Sequence, residues 1–419
     1  EMNSGNAMTA LDAVDATHAF AVGISSQNGN SSPVAIKTED GTTWDKIMLP
    51  QGYMIAMYMA IGFVDGNVGY LAGFTGKGGR VWKSDTAGFS WNEVVQLGQE
   101  DVPMHLQAFP TGEMFAAAGS KMVVFDGSAY ATVPVEVASG LSLSAVRMLN
   151  PTCGYAVATP AETGEQSALF WTADGGKSWE ARGGTVNALI SRMWFASPTL
   201  GWAAATKGGA GVVMKTTDGG MTWSDQAIPP HPKTGAMGEE AAATDCFDVR
   251  FFDDRRGVAT CVACTGGCGG GEGETPSYVS IFVRTDDGGG TWAMDPDYEG
   301  VMQAPPFGAM AKFSGMFWLA FPDPNHGYLT GTNNLVLRYE AAELESEGGG
   351  QATCESGRAG AGGSGAAGSG AAGASGTGSS ASETSDDGGC GCRASSEAGT
   401  GFWGVALGAI ALAARRWRR

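Results

Sequence analysis

Three eight-residue phrases ending in tryptophan constrain this chain more than any other feature: TADGGKSW at 172–179, TTDGGMTW at 216–223 and TDDGGGTW at 285–292. Each places Thr seven before the Trp, Asp five before it, Gly three before it and a hydroxyl residue just before it. The framework residues are Thr172, Asp174, Gly176 and Trp179; Thr216, Asp218, Gly220 and Trp223; Thr285, Asp287, Gly289 and Trp292. Worn copies precede them at Lys37, Glu39, Gly41, Thr43 and Trp44, and at Ser84, Thr86, Gly88, Ser90 and Trp91. The phrase carries turn chemistry. An Asp side chain accepts backbone N–H groups a few residues on, Gly takes positive φ without steric cost, and Trp supplies an apolar anchor.

Spacing counts the units. Trp44 and Trp91 lie 47 apart, Trp179 and Trp223 lie 44 apart, and Trp91 to Trp179 is 88, two periods with one phrase missing. A degenerate copy at 106–124 (LQAFPTGEMFAAAGSKMVV) fills the gap, and 313–339 reads as a final copy without the turn. Short β-rich runs such as GVVMK and SIFVR precede the phrases, and a period of roughly 40 to 50 residues suits one four-stranded propeller blade. The expectation is an all-β chain: a seven-bladed β-propeller of four-stranded blades over residues 1–340. Because the last copy stops after its third strand, the N-terminal stretch is expected to supply the missing outer strand.

Phrases of this form are Asp-box, or BNR, repeats. Seven such blades with an upstream GYxxG or GWxAx strand resemble propellers of the photosystem II stability and assembly factor type, over the whole globular part. The resemblance is specific for fold and weak for activity, because Asp boxes also decorate sialidases, xyloglucanases and sortilin-like receptors, where the box is structural.

Composition changes abruptly after the last copy. Residues 341–389 are dominated by Gly, Ala and Ser, a composition that cannot bury enough apolar surface to fold. A coil of its 346–389 core spans about 35 to 40 Å. Residues 390–419 then present Cys390 and Cys392, the apolar run FWGVALGAIALAA, and a terminus with four arginines. The run is expected to form a short hydrophobic helix. At thirteen residues it falls short of the roughly 20 that a stable span requires. Cysteine motif, apolar segment and basic terminus together resemble the myxobacterial C-terminal sorting signal (MYXO-CTERM). The resemblance implies export to the outer membrane, cell surface or medium, with Cys390 or Cys392 as the processing or lipid-attachment position. The alternative is a permanent single-span anchor. The chain opens on Glu1 with no signal-peptide pattern, which reads as a mature or trimmed form.

Charge narrows the partners. Lys plus Arg total 25 against 43 Asp plus Glu, with six arginines beyond Glu355, so the propeller is strongly anionic and repels phosphate backbones. Nucleic acid is excluded, and a protein or glycan partner at the envelope is expected, with the propeller monomeric and the membrane reached through the tail. Cys246, Cys261, Cys264 and Cys268 crowd one unit. In an oxidising compartment such cysteines pair, so two disulfides are expected there rather than zinc. Cys153 reads as a small buried residue and Cys354 as part of the linker.

In a blade, the connections from second to third strand and from outer strand to the next blade emerge on one face, opposite the Asp turns. The long irregular segments fall on that face, and binding residues concentrate on such loops. The candidate binding face comprises His231, Glu239, Glu240, Glu272, Glu274, Asp295 and Tyr298. An enzyme is not expected. A sialidase needs three clustered arginines, a Tyr with a Glu and an acid; the arginines here are few and several flank the Asp turns. The four histidines form no Ser-His-Asp or H-E-x-x-H spacing, and Asp253/Asp254 and Asp286/Asp287 read as turns before they read as Ca²⁺ ligands. No cofactor and no metal are expected. The reading is a non-catalytic, exported binding scaffold; the alternative is a secreted carbohydrate-active hydrolase of sialidase or xyloglucanase type.

Overall fold

The computed structural model describes residues 6–27, 30–53, 56–161, 164–231, 240–266, 277–295, 316–331, 336–340 and Cys354. It is an all-β, seven-bladed propeller. Six antiparallel four-stranded sheets and one three-stranded sheet each follow chain order. The innermost strands are Asn6–Ala13, Ala56–Phe63, Pro103–Ala108, Leu141–Met148, Leu189–Phe195, Ala243–Phe251 and Met316–Ala320. Each touches the innermost strand of the next blade, and the seventh touches the first, so the wheel is closed. The degenerate copy at 106–124 is a complete third blade, ending in the strand Tyr130–Pro134.

The Asp turns behave as their chemistry dictates. In blade five the Asp218 carboxylate accepts Thr222 N at 2.9 Å and the Thr216 hydroxyl at 2.8 Å, while Gly220 N donates to the Thr216 hydroxyl at 2.8 Å. Blades four and six repeat this around Asp174 and Asp287. In blade two the Thr86 hydroxyl stands in for the carboxylate, accepting Ser90 N at 2.9 Å. Gly220 has φ +85°, and a Cβ there would lie 2.7 Å from Leu169 of blade four, so the position requires glycine on both counts.

Blade one departs from the expected register. The working carboxylate is Asp40, which accepts Thr42 N at 2.7 Å and Thr43 N at 2.6 Å, with Thr38 as the framework hydroxyl. Glu39 instead pairs with Lys37 at 2.5 Å. Gly41 N donates to Thr17 O, as Gly175 N donates to Thr152 O in blade four. This turn is therefore one residue shorter before its Trp, and counting back from Trp44 lands one position early.

Aromatic rings join the blades. Phe20 stacks on Phe63 at 3.4 Å, Tyr155 on Phe195 at 3.8 Å and Trp202 on Phe251 at 3.5 Å, each pair crossing from a second strand to the next innermost strand. The phenylalanines in turn take the edges of Trp91, Trp223 and Trp292, the Asp-turn tryptophans of their own blades. Such pairs contribute about 0.5–1.5 kcal/mol each beyond burial. Second strands are buried nearly end to end and rich in alanine, as at Ala116–Ala118 and Ala203–Ala205, because neighbouring sheets converge toward the axis and leave little room. Outer strands such as Glu180–Val186 are largely exposed.

Three expectations are corrected. The described N-terminal strand is the innermost strand of blade one, not the outer strand of blade seven. Its Asp12 carboxylate accepts Phe63 N from blade two, and its Met8 carbonyl accepts the Trp318 indole N–H from blade seven at 3.2 Å. Cys153 and Cys354 are neither a plain buried residue nor part of a free linker; they form a disulfide. Within blade six, Cys246 pairs with Cys261 across adjacent strands and Cys264 is also disulfide-bonded; Cys268 lies outside the described residues. The expected C-terminal helix and residues 390–419 lie outside them too, and no described helix is long and apolar enough to cross a membrane.

Hydrogen bonding holds the Asp287 carboxyl down at about 2 and lowers those of Asp174 and Asp218. Because these groups ionise more readily folded than unfolded, their stabilisation is full above about pH 4 and drains away as pH falls toward 2. Thermal melts across that range should show the loss. At neutral pH, Asp40→Ala should lower the melting temperature measurably and Glu39→Ala should not; the reverse ranking would contradict the corrected register.

Candidate functional site

The innermost strands surround the axis, and alternation puts every second residue on one face. One residue before the strand ends, at equivalent ladder positions, stand Asp12, Gln107, Arg147, Trp194 and Arg250. Two positions earlier stand His105, Arg192, Asp248 and Trp318. Both layers lie toward the face that bears the Asp turns, since that is where the innermost strands end.

Tryptophan and guanidinium groups dominate these layers. The Arg147 guanidinium lies 3.2 Å and that of Arg250 3.6 Å from the Trp194 ring centroid. Two guanidinium groups cannot share one face at such distances, so the indole is sandwiched. Arg192 lies 4.2 Å from the Trp318 centroid. Cation–π contact favours each arrangement, more so where water is displaced.

Neighbouring blades hold the other polar groups. Asp248 accepts Leu319 N at 3.0 Å and Val249 N at 2.9 Å, Arg250 donates to Phe321 O at 2.9 Å, and Gln107 accepts Met148 N at 2.8 Å while donating to its carbonyl. His105 Nδ1 accepts Val146 N at 3.3 Å, which fixes that nitrogen as the unprotonated one. These bonds join blade three to four and six to seven around the axis.

The electrostatics oppose the rest of the molecule. Three guanidinium groups face two carboxylates here, a local positive excess in a chain of net charge −18. Burial lowers the Arg192 and Arg250 guanidinium groups to about 10 and Arg147 well below its ordinary value, with Arg250 adding to the last effect. Burial raises Asp12 and brings Asp248 up to about 6, against the pull of Arg192. Burial, then Arg192 and Arg147, hold His105 neutral. The Nε atoms of Arg147 and Arg250 are buried without a hydrogen-bond partner among the described residues. A carboxylate supplies what such donors require.

The sequence reading missed this cluster because its members come one or two at a time from six different blades. Their shared ladder position was the available signal. The three arginines that looked dispersed converge, although no Tyr with a Glu accompanies them at these positions. Of the expected binding face, Glu239, Glu272, Glu274 and Tyr298 lie outside the described residues. Glu240 is exposed, His231 is backbone-paired with Ala241, and Asp295 is buried with its N–H on Phe282 O. The bridge between His231 and Ala241 sets His231 beside Glu240. Among the described residues no group of His, Cys, Asp and Glu is arranged to hold a metal. Asp253 accepts Arg255 N and Arg256 N, which makes it a turn residue.

No family model and no curated protein matches the sequence. Solved structures do match in shape. YCF48 bound to D1 peptide superposes with a TM-score of 0.55 at 17% identity, covering 82% of this chain and 96% of that one. A GH74 xyloglucanase from Xanthomonas campestris gives 0.52 at 17% identity over 81% of this chain, which spans about half of that enzyme, 52%. A virginiamycin B lyase from Staphylococcus aureus gives 0.50 at 10% identity over 80% and 95%. These likenesses establish the propeller fold.

Asp248 makes the site sensitive to pH. A carboxyl raised to about 6 when folded favours the native state below about pH 4 and loses that contribution as pH rises through 6. Urea midpoints for wild type and Asp248→Asn at pH 4.5 and 7.5 should show the variant gaining on the wild type as pH rises; an unchanged gap would contradict the assignment.

Proposed function

We propose that this protein is a non-catalytic, exported scaffold that binds a carboxylate-bearing segment of a partner protein at the cell envelope. The observation that carries the reading is the Trp194 indole between Arg147 and Arg250, with both Nε donors unpaired among the described residues. A flat cation–π stack presents guanidinium groups in fixed orientation, suited to bidentate recognition of a carboxylate. The similarity in shape to YCF48, solved with a D1 peptide, supports a peptide partner. Export rests on the tail, which resembles a sorting signal.

The two acids at the axis are not arranged as a glycosidase pair. A glycosidase needs one carboxylic acid and one carboxylate free to meet the sugar, whereas Asp12 and Asp248 each accept a backbone N–H from the next blade. They act as struts, and their ionisation tunes the charge beside the arginines.

Fluorescence anisotropy with labelled peptides, each with a free or an amidated C-terminus and with or without internal acids, tests the reading. Binding should depend on a carboxylate and weaken with salt. Arg147→Ala or Arg250→Ala should reduce affinity about ten- to a hundredfold, the size of a lost charge-assisted hydrogen bond. Equal binding by wild type and both variants would reject the site. Binding confined to acidic sugars on a glycan array would move the partner class to glycans, and turnover of fluorogenic glycosides would reject the non-catalytic reading.

A further inference from the structure

One acid is set among the arginines of the axial site. On the innermost strand of blade six, Asp248 and Arg250 are two residues apart, so alternation turns both side chains to the same side, roughly 7 Å apart along the strand. Arg192, on the innermost strand of blade five, stands at the ladder level of Asp248 itself. The carboxylate therefore has one guanidinium group beside it and another one step along. Burial raises this carboxyl, while Arg192 first and Arg250 after it pull it back.

The other charged groups on neighbouring elements are engaged elsewhere. Asp245, on the same strand, accepts the Thr206 hydroxyl at 2.8 Å, Lys207 pairs with Asp225 at 2.7 Å, and Lys215 donates to Gly288 O at 2.8 Å. The paired strand Gly257–Gly266 carries no charge. Met316–Ala320 offers the Leu319 N–H and the Trp318 ring that Arg192 covers. Asp12 accepts Phe63 N at 2.6 Å, Arg147 rests on Trp194, and His105 accepts Val146 N. Asp248 itself accepts Leu319 N through Oδ2 and Val249 N through Oδ1. Each oxygen keeps a second lone pair, so a proton can bind without breaking either bond.

We propose that Asp248 is an internal competitor for the partner's carboxylate, so that binding at the axis draws a proton from solvent onto Asp248 and strengthens as the medium acidifies. The inference rests on the carboxylate-binding reading above. An ionised Asp248 offsets the charge of Arg192 and Arg250 and repels an incoming anion, whereas a protonated one does neither. By reciprocity, a bound anion raises the carboxyl further. The free site already holds this carboxyl up at about 6. Affinity therefore falls as pH rises from 6 through neutrality, by at most about tenfold per pH unit for one linked proton, and levels off below 6.

Titration calorimetry of the full chain tests this between pH 5.5 and 7.5 with an N-acetylated hexapeptide carrying one internal and one C-terminal carboxylate, neither of which titrates in that range. Wild-type affinity should rise about three- to tenfold toward pH 5.5. Asp248→Asn should bind at pH 7.5 as tightly as the wild type does at pH 5.5, with no pH dependence. Binding that is independent of pH in the wild type, or dependence that persists in Asp248→Asn, overturns the inference and leaves the carboxylate site standing. Absence of binding at every pH overturns both. Should Asp248→Asn fail to fold, carbon-13 spectra of Asp-labelled protein in the Asp12→Asn background decide. An aspartate carboxyl that titrates near pH 6 and moves to higher pH when the peptide binds upholds the inference; no such carboxyl overturns it.

Discussion

Face-to-face contact between consecutive blades is the constraint from which the rest of this structure follows. A repeated four-stranded unit cannot bury its hydrophobic faces alone, so each blade must offer its neighbour a matching face. At three of the junctions that face is organised by one aromatic relay. A ring from the second strand stacks on the phenylalanine that ends the next innermost strand, and that phenylalanine takes the edge of its own blade's Asp-turn tryptophan. The Asp turn is the bracket that aims the tryptophan, which explains why its residues recur while most of the blade does not. The glycines belong to the same logic, since a side chain at Gly220 would strike the preceding blade.

Convergence toward the axis creates the chemistry of the centre. Sheets that close on one another leave room for small residues on second strands, and the innermost strands bring one side chain from each blade to a common level. Groups about 45 residues apart in sequence become neighbours, and their charges interact through little water. Arg147, Arg192, Arg250, Asp12 and Asp248 therefore depart from their ordinary ionisation, with burial the leading cause in each. Two carboxylates there brace adjacent blades, while the guanidinium groups rest on indoles with donors to spare. A chain of net negative charge thus encloses a centre where guanidinium groups outnumber carboxylates.

Blade number, strand order and the placement of the Asp turns were legible because they rest on local chemistry that repeats: a carboxylate two residues beyond a hydroxyl, then glycine, then tryptophan. The degenerate third blade was legible from spacing alone. Where a repeat lost one residue, as before Trp44, the local count misassigned Glu39 for Asp40, since only the backbone partner Thr17 reveals the alignment. A second recurring turn escaped notice because its residue varies. Asp15, Asp65, Asn150, Asp253 and Asp323 each accept two backbone N–H groups between the first and second strands.

The sequence by itself determined that this chain is a wheel of seven sheets, with its tryptophans at the turns and an anionic exterior, because those properties depend on residues near one another in the chain. It determined equally that cysteines crowded into one blade would pair, as Cys246 and Cys261 do. Only the tertiary structure decided which distant groups meet: three arginines and two tryptophans from four blades at the axis, and Cys153 with Cys354 across 201 residues. The physical reason is that local hydrogen bonds and φ preferences set each blade, whereas neighbours across the wheel are set by the closure of the ring, which leaves no periodic trace in the residues it brings together.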